Sequence, residues 1–343
     1  MVVMRTDEFD YELPKGLIAQ EPLERRDASR LMIVDKGSQK ITHDYFHNLP
    51  KYLRQDDLLV FNDTKVMPAR LMGEKMSGGK VEILLLPHPR PLSLIKERGE
   101  RGEVWEFIGR NIGGAKKLVF EGGLEGKIVQ RNMIRFNKFN AELMKIINRI
   151  GYTPLPPYIM SRGGGGQPNL KRRYQTVFAK NFGSAAAPTA GFHFDRKLMK
   201  RLSDEGIKQE FVTLHVGLGT FAPVRVENIE DHEMHEEYFS INPKTKVKIR
   251  NHKLKGKRIM AVGTTSVRVL ESDWRKDRTN IFIYPGYKFK NVDAMITNFH
   301  LPKSTLLMLV CAFAGKDLIM KAYREAIVKK YRFFSFGDAM MII

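Results

Sequence analysis

The sequence predicts an α/β fold, with a mixed-sheet main domain into which a small antiparallel β-barrel is inserted. Two patterns in the 343-residue chain support this prediction. After residue 188, runs typical of strands alternate with runs typical of helices, the order that places helices on a sheet. Between residue 69 and about residue 136, short β-like runs follow one another with no helical pattern between them, as in a small barrel.

The barrel interrupts the larger domain, so we expect one of the two domains to be discontinuous. The β-like runs of the insert are VEILLL, EVWEFIG, KLVF, KIVQ and MIRF, and glycine-rich or charged turns separate them. A predicted helix, AELMKIINRI, follows Asn140 and is stopped by Gly151. We therefore assign residues 1–65 and 155–343 to the α/β domain, and residues 66–154 to the barrel domain.

The larger domain contains several further strand and helix patterns. Strands are predicted at LLVFND, QEFVTLHV, RIMAVG and IFIY, and helices through HDYFHNLPKYLRQ, SVRVLES and DLIMKAYREAIVKKY. Another strand, at residues 293–297, leads through Leu301 and Pro302 into an apolar helix, for which Ser304 is the expected N-cap. In α/β proteins, ligand-binding side chains lie on loops at the carboxyl ends of the strands.

Composition limits the class of protein. There are 58 Lys and Arg residues against 38 Asp and Glu, which gives a net charge of +20. Such a charge indicates a polyanionic partner, or else a general bias toward surface lysine. A single cysteine, Cys311, excludes an intrachain disulfide and a thiolate metal cluster, so we expect a cytoplasmic protein. No apolar run approaches the roughly 18 residues of a membrane-spanning helix, and we expect no membrane association.

Four loops of the α/β domain share one pattern, in which a strand is followed by small or polar residues and then by a helix or turn. They are PTAGFHF (188–194), HVGLGTF (215–221), GTTS (263–266) and TNFHLP (297–302). Glycines allow close approach of a ligand, and hydroxyl and amide groups at a helix N-terminus attract anions. We expect these loops to line one cleft. The alternatives are a packed core histidine, a capped helix or a turn that satisfies its own backbone.

The run DHEMHEE (231–237) contains two histidines, His232 and His235, among carboxylates. Side chains of these types bind metals or act as general acids and bases. The spacing is HExH rather than the HExxH of zinc proteases, and no cysteine is available nearby. A proton-transfer role is therefore the preferred interpretation, with no metal expected.

A dozen segments also resemble one known family in their order along the chain. They are FDYELP, IAQEP, SRL, LLVFNDTKV, PLPPYI, RYQTVFA, AAPTAGFHF, HVGLGTF, HEMHEE, VGTTSVRVLES, YPGYKFKNVDAMITNFHLPKSTLLM and FFSFGDAM. The chain thus resembles the S-adenosylmethionine:tRNA ribosyltransferase-isomerases of queuosine biosynthesis (the QueA family) over nearly its whole length. It departs from the family pattern at Phe192, at Leu218, and in the four glycines 163–166 with the basic Lys171 and Arg172 that follow them.

The resemblance implies an α/β domain with an inserted barrel, and it implies a reaction. The ribosyl part of S-adenosylmethionine, the co-substrate, is transferred and isomerised onto 7-aminomethyl-7-deazaguanine at the wobble position of a tRNA anticodon. Epoxyqueuosine-tRNA forms, and adenine and methionine are released. A chain of charge +20 suits RNA, whose anticodon-loop bases stack on aromatic rings such as Tyr174, Phe192 or Phe299. For the two phenylalanines, core packing is the alternative. We expect a monomer.

The residues expected to carry the reaction fall into three groups. The candidate bases, in order of preference, are His235, His215, His300 and His193, with Glu236 as the orienting carboxylate. The expected S-adenosylmethionine contacts are Gly217, Gly219, Thr220, Gly263, Thr264, Thr265, Thr297 and Asn298. The expected tRNA contacts are Arg25, Arg26, Arg172, Arg173, Tyr174, Gln175 and Thr189.

Two other functions are compatible with the same residues. The first is that of a non-catalytic module that binds structured RNA through the barrel, with the histidine loops serving only stability. The second is that of a metal-dependent hydrolase that uses His232 and His235.

Overall fold

A nine-stranded mixed sheet is the centre of the larger domain in the computed structural model, which describes residues 4–86, 103–159, 168–217 and 224–343. Across the sheet, the strands are β15 (Arg278–Thr279), β13 (Glu237–Ser240), β12 (Lys208–Leu214), β3 (Leu58–Asn62), β14 (Ile259–Val262), β16 (Ala294–Asn298), β17 (Ala339–Ile342), β1 (Arg30–Asp35) and β2 (Lys40–Tyr45). Strands β12, β3, β14 and β16 run parallel. Strand β17 runs antiparallel to β16 and parallel to β1.

The central strands are apolar because helices cover both faces of the sheet. Alternate residues of β3 face opposite layers: Leu58 and Val60 belong to one core cluster, and Leu59 and Phe61 belong to the other. The first layer contains the helices α4 (Pro243–Leu254), α5 (Thr264–Glu271), α6 (Thr305–Ala314) and α7 (Lys316–Val328). The second layer contains α3 (Arg196–Asp204) and the 3₁₀ helices Phe46–Tyr52 and Thr189–His193.

The insert is a closed six-stranded barrel in which every pairing is antiparallel. Its strands are β5 (Arg70–Lys75), β6 (Lys80–Leu85), β7 (Val104–Arg110), β8 (Lys117–Phe120), β9 (Leu124–Gln130) and β10 (Met133–Phe136). Helix α1 (Asn140–Ile150) packs Leu143 and Ile147 into the barrel core. The predicted fold class is therefore confirmed. The domain boundaries at residues 66 and 154 stay a prediction.

The chain returns from the barrel beside the point at which it entered. Tyr152 exchanges two backbone hydrogen bonds with Arg70 at the start of β5. The helix α2 (Pro168–Arg173) then leads to β11 (Asn181–Ser184), which pairs in parallel with β4 (Thr64–Val66). Among the described residues, no helix is long and apolar enough to cross a membrane.

Two local predictions were wrong. The segment HDYFHNLPKYLRQ begins in strand β2 and continues as a 3₁₀ helix, Phe46–Tyr52, because Pro50 cannot donate the hydrogen bond that an α-helix requires there. The segment IFIY (281–284) forms no strand. The apolar side chain of Ile283 packs into the core beneath the helices, and the edge strand β15 precedes the segment. The predicted Ser304 cap is confirmed, since its hydroxyl accepts from the backbone N–H of Leu307 at 3.2 Å.

Gly151 fixes the junction between the barrel and the larger domain. A Cβ atom added there would lie 2.0 Å from the carbonyl oxygen of Pro68, a backbone atom that cannot rotate away. We expect Gly151→Ala to lower the free energy of unfolding by about 2 kcal/mol, the usual cost of overpacking. Urea denaturation measures this change. The control is Gly113→Ala, where the added Cβ meets nothing within 4 Å. Equal midpoints for the two variants would contradict the prediction.

Candidate active site

A cleft with several polar side chains in a largely apolar wall opens at the edge of the sheet where the parallel strands β12, β14 and β16 end. Because these strands run in the same direction, the residues that follow them gather at one edge. The cleft is lined by Tyr158, Ala186, Ala187, Pro188, Thr189, Ala190, Val216, Gly263, Thr264, Thr265, Thr297, Asn298, His300, Leu301, Ser304, Leu306, Phe334 and Ser335.

The cleft brings together residues that the sequence analysis placed on four separate loops. Thr189 comes from the first loop, Thr264 and Thr265 come from the third, and Asn298 and His300 come from the fourth. The second loop contributes Val216, while Gly219 and Thr220 lie outside the described residues. The expectation that these loops line one cleft is met for the part of the chain that the structure describes.

Asn298, at the end of β16, links the loops through its side-chain amide. The oxygen Oδ1 accepts from Thr189 Oγ1 at 3.1 Å, and Nδ2 donates to the carbonyl oxygen of Phe334 at 3.1 Å. Nδ2 also lies 3.3 Å from His193 Nε2. An amide nitrogen only donates, so His193 Nε2 must accept. The proton of the imidazole is then on Nδ1, which donates to Ser29 Oγ at 2.7 Å.

His193 lies beneath the cleft rather than in its wall. The ring is 3% exposed and stacks on Phe46, with 5.0 Å between ring centroids. Burial, with a smaller contribution from Arg26 and Arg332, lowers the pKa of His193 to about 3. The ring is therefore neutral at pH 7. This position makes His193 a support for Asn298, and its predicted role as a base stays a prediction.

His300 is the predicted catalytic histidine whose side chain lines the cleft. Its Nε2 lies 2.7 Å from Thr297 Oγ1. Two tyrosines hold its backbone, because His300 N donates to Tyr323 Oη at 2.9 Å and Tyr11 Oη donates to the His300 carbonyl oxygen. Burial lowers the pKa of His300 to about 3, so the ring is neutral at pH 7. The imidazole is thus held rigidly, facing the cleft with its neighbouring threonine.

The other two predicted histidines lie elsewhere. His215 is buried, with Nδ1 2.9 Å from Thr64 Oγ1, and its ring covers Gly183, where a Cβ atom would come within 2.9 Å of the imidazole. His235 and Glu236 are exposed, and Glu236 accepts from Arg278 at 2.8 Å. None of these three lines the cleft. Their proposed catalytic roles stay predictions.

Sequence reasoning missed an ion pair beside the cleft, between Arg268 on α5 and Glu237 on β13. The Arg268 Nη1 group donates to one carboxylate oxygen of Glu237, and both side chains are less than 10% exposed. The other oxygen of Glu237 accepts from the backbone N–H of Gly217 at 2.8 Å. The predicted cofactor residue Gly217 therefore already has a partner. The two charges lie 31 residues apart, so no local pattern identifies the pair.

Tyr158, Phe334 and Ser335 were also missed as cleft residues. Tyr158 Oη lies 2.7 Å from Ser335 Oγ, and burial raises the pKa of this tyrosine to about 12. The segments PLPPYI and FFSFGDAM contain these residues, and both belong to the family resemblance. Their position in the cleft could have been suspected from that resemblance alone, because their local patterns indicate only extended chain.

Several residues expected to bind tRNA also hold loops together, and their roles in tRNA binding stay predictions. The guanidinium of Arg26 donates to the carbonyl oxygens of Gln175 at 2.8 Å and Phe192 at 3.3 Å, and burial, followed by repulsion from Arg173, lowers its pKa to about 10. Arg173 donates to the carbonyl oxygens of Leu23 and, at 2.9 Å, Glu24.

The other residues of this group differ in exposure. Gln175 pairs with both backbone polar groups of Val66, at 2.8 and 3.1 Å. Tyr174 is fully buried, with its ring edge against Phe192 at 5.5 Å between centroids. Arg25 and Arg172 are exposed. A phosphate can therefore reach Arg25 and Arg172 without any rearrangement of the loops.

Possible metal ligands are dispersed. Within the described ranges, no three His, Cys, Asp or Glu side chains come together as a group that would hold a metal ion. His232 instead contacts Phe282 edge to face, with 5.3 Å between centroids, and its pKa is lowered by burial and then by His235.

A cleft at the carboxyl ends of the parallel strands of a mixed sheet, with a barrel inserted in the chain, defines an α/β protein of the kind that binds small ligands at its strand ends. A family model described as "Queuosine biosynthesis protein" matches residues 6–342. The chain belongs to this family.

Individual relatives match over their full length. The chain is 49% identical to the S-adenosylmethionine:tRNA ribosyltransferase-isomerase of Carboxydothermus hydrogenoformans, covering 99% of this chain and 100% of the relative. It is 48% identical, with the same coverage, to the protein of that name from Halothermothrix orenii. A crystal structure of S-adenosylmethionine tRNA ribosyltransferase from Thermotoga maritima superposes with a TM-score of 0.55 at 38% identity, covering 98% of this chain and 100% of that one.

The buried, neutral His193 predicts how stability depends on pH. The unfolded chain binds a proton at this histidine near pH 6.5, whereas the folded protein does so only near pH 3. Stability therefore falls as the pH drops through this window, by up to about 1.4 kcal/mol per pH unit from this residue. We expect His193→Gln to lose less stability than the parent protein between pH 6 and pH 5.

Denaturant unfolding at the two pH values measures the difference. His47→Gln, which removes an exposed histidine, is the control and should keep the parent slope. If the stability of His193→Gln changes with pH as steeply as that of the parent protein, the buried imidazole does not control this dependence.

Proposed function

We propose that this chain is a transferase that moves and isomerises the ribosyl part of S-adenosylmethionine onto 7-aminomethyl-7-deazaguanine at the wobble position of tRNA. The products are epoxyqueuosine-tRNA, adenine and methionine. The observation that carries the proposal is the full-length similarity, at 48 to 49% identity, to proteins named S-adenosylmethionine:tRNA ribosyltransferase-isomerase. The cleft supports it, because its walls come from the loops that carry the resemblance.

The cleft offers complementary groups for the co-substrate. Thr264 and Thr265 begin helix α5, whose free N–H groups and partial positive charge favour an anionic group such as the methionine carboxylate. Thr189 and Asn298 present a hydroxyl and an amide oxygen, which suit the hydroxyls of a ribose. Leu301 and Leu306 supply apolar wall. The predicted contacts Gly263 and Thr297 lie among these residues, in the same wall.

The reaction requires removal of a proton from the co-substrate. The positive sulfur acidifies the hydrogens on C5′, and a base that takes one leaves a carbanion stabilised as a sulfur ylide. Adenine can then leave as the sugar opens, the aminomethyl nitrogen of the tRNA base bonds to the sugar, and cleavage of the bond between C5′ and sulfur releases methionine. We assign the base to His300 on geometry, because it is the candidate imidazole in the cleft wall; its neutral ring can accept a proton, and burial makes it a weaker base than a free histidine. The carbanion beside it would stabilise the imidazolium, which burial otherwise disfavours.

The partner is tRNA, which we place with its anticodon loop at the mouth of the cleft. A net charge of +20 favours phosphate contacts, and the exposed Arg25 and Arg172 are candidates for them. We further propose that the protein is a monomer in the cytoplasm. There its buried Cys311 stays reduced and tRNA is available.

Turnover with precursor tRNA tests the function directly. We expect adenine release in the presence of S-adenosylmethionine and tRNA that carries 7-aminomethyl-7-deazaguanine, with no effect of a chelator. Co-substrate deuterated at C5′ should lose one deuterium during turnover. Binding of tRNA without adenine release would instead favour the RNA-binding module, inhibition by chelator would favour the metal hydrolase, and S-adenosylhomocysteine as product would contradict the proposed chemistry.

The choice of His300 predicts a difference between two histidine variants. His300→Gln should lower the rate of adenine release by about 100-fold or more, the usual contribution of a general base, while tRNA still binds. His235→Gln, in an exposed loop, should keep at least half of the parent rate. Single-turnover kinetics with labelled co-substrate measures both rates. The reverse result would move the base to His235.

The charge on the surface predicts how tRNA binding responds to salt. Each neutralised phosphate releases a counterion, so affinity should fall steeply between 50 and 200 mM salt. Arg25→Gln with Arg172→Gln should make the logarithmic slope shallower by about 2, because two contacts are lost. The control Arg275→Gln removes an exposed arginine that is paired with Asp273. Filter binding at several salt concentrations gives the slopes. An unchanged slope in the double variant would exclude these two arginines.

A further inference from the structure

Three polar atoms without hydrogen-bond partners cluster on one side of helix α5. Thr265 Oγ1 and the Nε and Nη2 atoms of Arg268 are buried and have no hydrogen-bond partner in the part of the chain that the structure describes. Thr265 is 8% exposed and lines the cleft, and Arg268 is 3% exposed. A buried donor left without a partner costs about 1–3 kcal/mol. Such a cluster, beside a cleft, is a candidate site for a ligand that would complete these hydrogen bonds.

The position of Arg268 on the helix directs it toward the cleft. It lies three residues after Thr265 and four after Thr264, so the three side chains share one side of α5. Side chains on a helix tilt toward its N-terminus. The Arg268 side chain therefore leans toward the turn whose threonines line the cleft and lies behind that wall, since Arg268 is not itself among the lining residues. Its partner Glu237 contacts Gly217, the residue that follows Val216 in the cleft wall.

The two unpartnered nitrogens of Arg268 lie on an edge of the guanidinium group that can bind a carboxylate through two hydrogen bonds. Nε and Nη2 donate in parallel, which matches the two oxygens of a carboxylate. Other arginines of this protein use this same pair of atoms, and three of them serve as examples. Arg275 binds Asp273 at 2.9 and 2.8 Å, and Arg25 binds Asp27 at 3.2 and 3.1 Å. Arg258 binds Asp57 in the same way. Among the described residues, Arg268 uses Nη1 alone, with Glu237 as its partner.

We propose that Arg268 and Thr265 form the site for the carboxylate of the co-substrate's amino-acid end, with Arg268 as a bidentate donor. This inference rests on the proposed function and deepens it. Glu237 holds the guanidinium in place through Nη1, which leaves the Nε and Nη2 pair for the ligand. The N-terminus of α5 adds partial positive charge at the same position. The site selects S-adenosylmethionine over its decarboxylated form, an amine that keeps the sulfonium and the nucleoside.

Calorimetry with these two ligands, in the absence of tRNA, tests the site. We expect the parent protein to bind S-adenosylmethionine about 100-fold more tightly than the decarboxylated amine, as two charge-assisted hydrogen bonds imply. The test variant is Arg268→Met combined with Glu237→Gln, because Arg268→Met alone would leave a buried carboxylate unpaired and endanger folding. We expect this double variant to bind the two ligands within about threefold of each other.

A matched control separates the carboxylate site from general loss of stability. Arg258→Met with Asp57→Asn removes another bidentate ion pair, with side chains 13% and 2% exposed, at the amino ends of β14 and β3. This variant should keep the parent preference of about 100-fold. Thr265→Val should lose about fivefold in affinity for S-adenosylmethionine and nothing for the amine. Circular dichroism establishes that each variant is folded.

Three results would overturn the inference: equal affinities of the parent protein for the two ligands, a parent preference retained in the Arg268 double variant, or a preference lost equally in the Arg258 control. The proposed function is tested separately, by adenine release from the parent protein. If the parent protein releases adenine but the Arg268 double variant keeps the preference for S-adenosylmethionine, only the carboxylate site is overturned. A parent protein that shows the preference without adenine release would overturn the proposed reaction and leave the carboxylate site.

Discussion

The geometry of the cleft depends on the side-chain amide of Asn298. Its two N–H groups contact the carbonyl oxygen of Phe334 and the imidazole of His193, and its oxygen accepts from Thr189. Three segments that are distant in the chain are thereby held to the end of one central strand. Because the side chain is 2% exposed, water cannot replace a lost partner at little cost. The burial of His193 serves this arrangement: a neutral ring with a defined tautomer accepts from Asn298, whereas an imidazolium would not.

Features of the fold and site could be predicted from the sequence when they depend on neighbouring residues, and could not when they depend on residues far apart in the chain. Alternating strand and helix patterns, the barrel and the cap at Ser304 follow from neighbouring residues, and they were predicted. The partners of the histidines were not, because Ser29 lies 164 residues from His193 and Thr64 lies 151 residues from His215. The same limit hid the pair of Arg268 and Glu237. A histidine near a strand end thus predicts a polar position, but only the fold decides whether it faces ligand or core.

The roles of arginine residues were equally hard to predict from the sequence. Arg26 and Arg173 stand in loops that the resemblance connects with substrate, yet their guanidinium groups bind backbone carbonyl oxygens. Loops that leave a sheet expose carbonyl groups that need donors, and an arginine satisfies several at once. These two residues therefore hold the segments that carry the exposed Arg25 and Arg172. Net charge alone cannot distinguish an arginine that holds a loop from one that faces solvent.

The place of β17 in the sheet has a consequence for synthesis of the protein. This strand, Ala339–Ile342, lies between β1 and β16, and β1 formed from residues about 300 positions earlier. The barrel, in contrast, contains all of its own strands between residues 70 and 136. On the ribosome, the barrel strands emerge close together, whereas the hairpin of β1 and β2 emerges long before β17, the strand that joins it to the central sheet. Pairing of β1 with β17 must therefore close a separation of about 300 residues, and contacts of such long range are typical of slow folding.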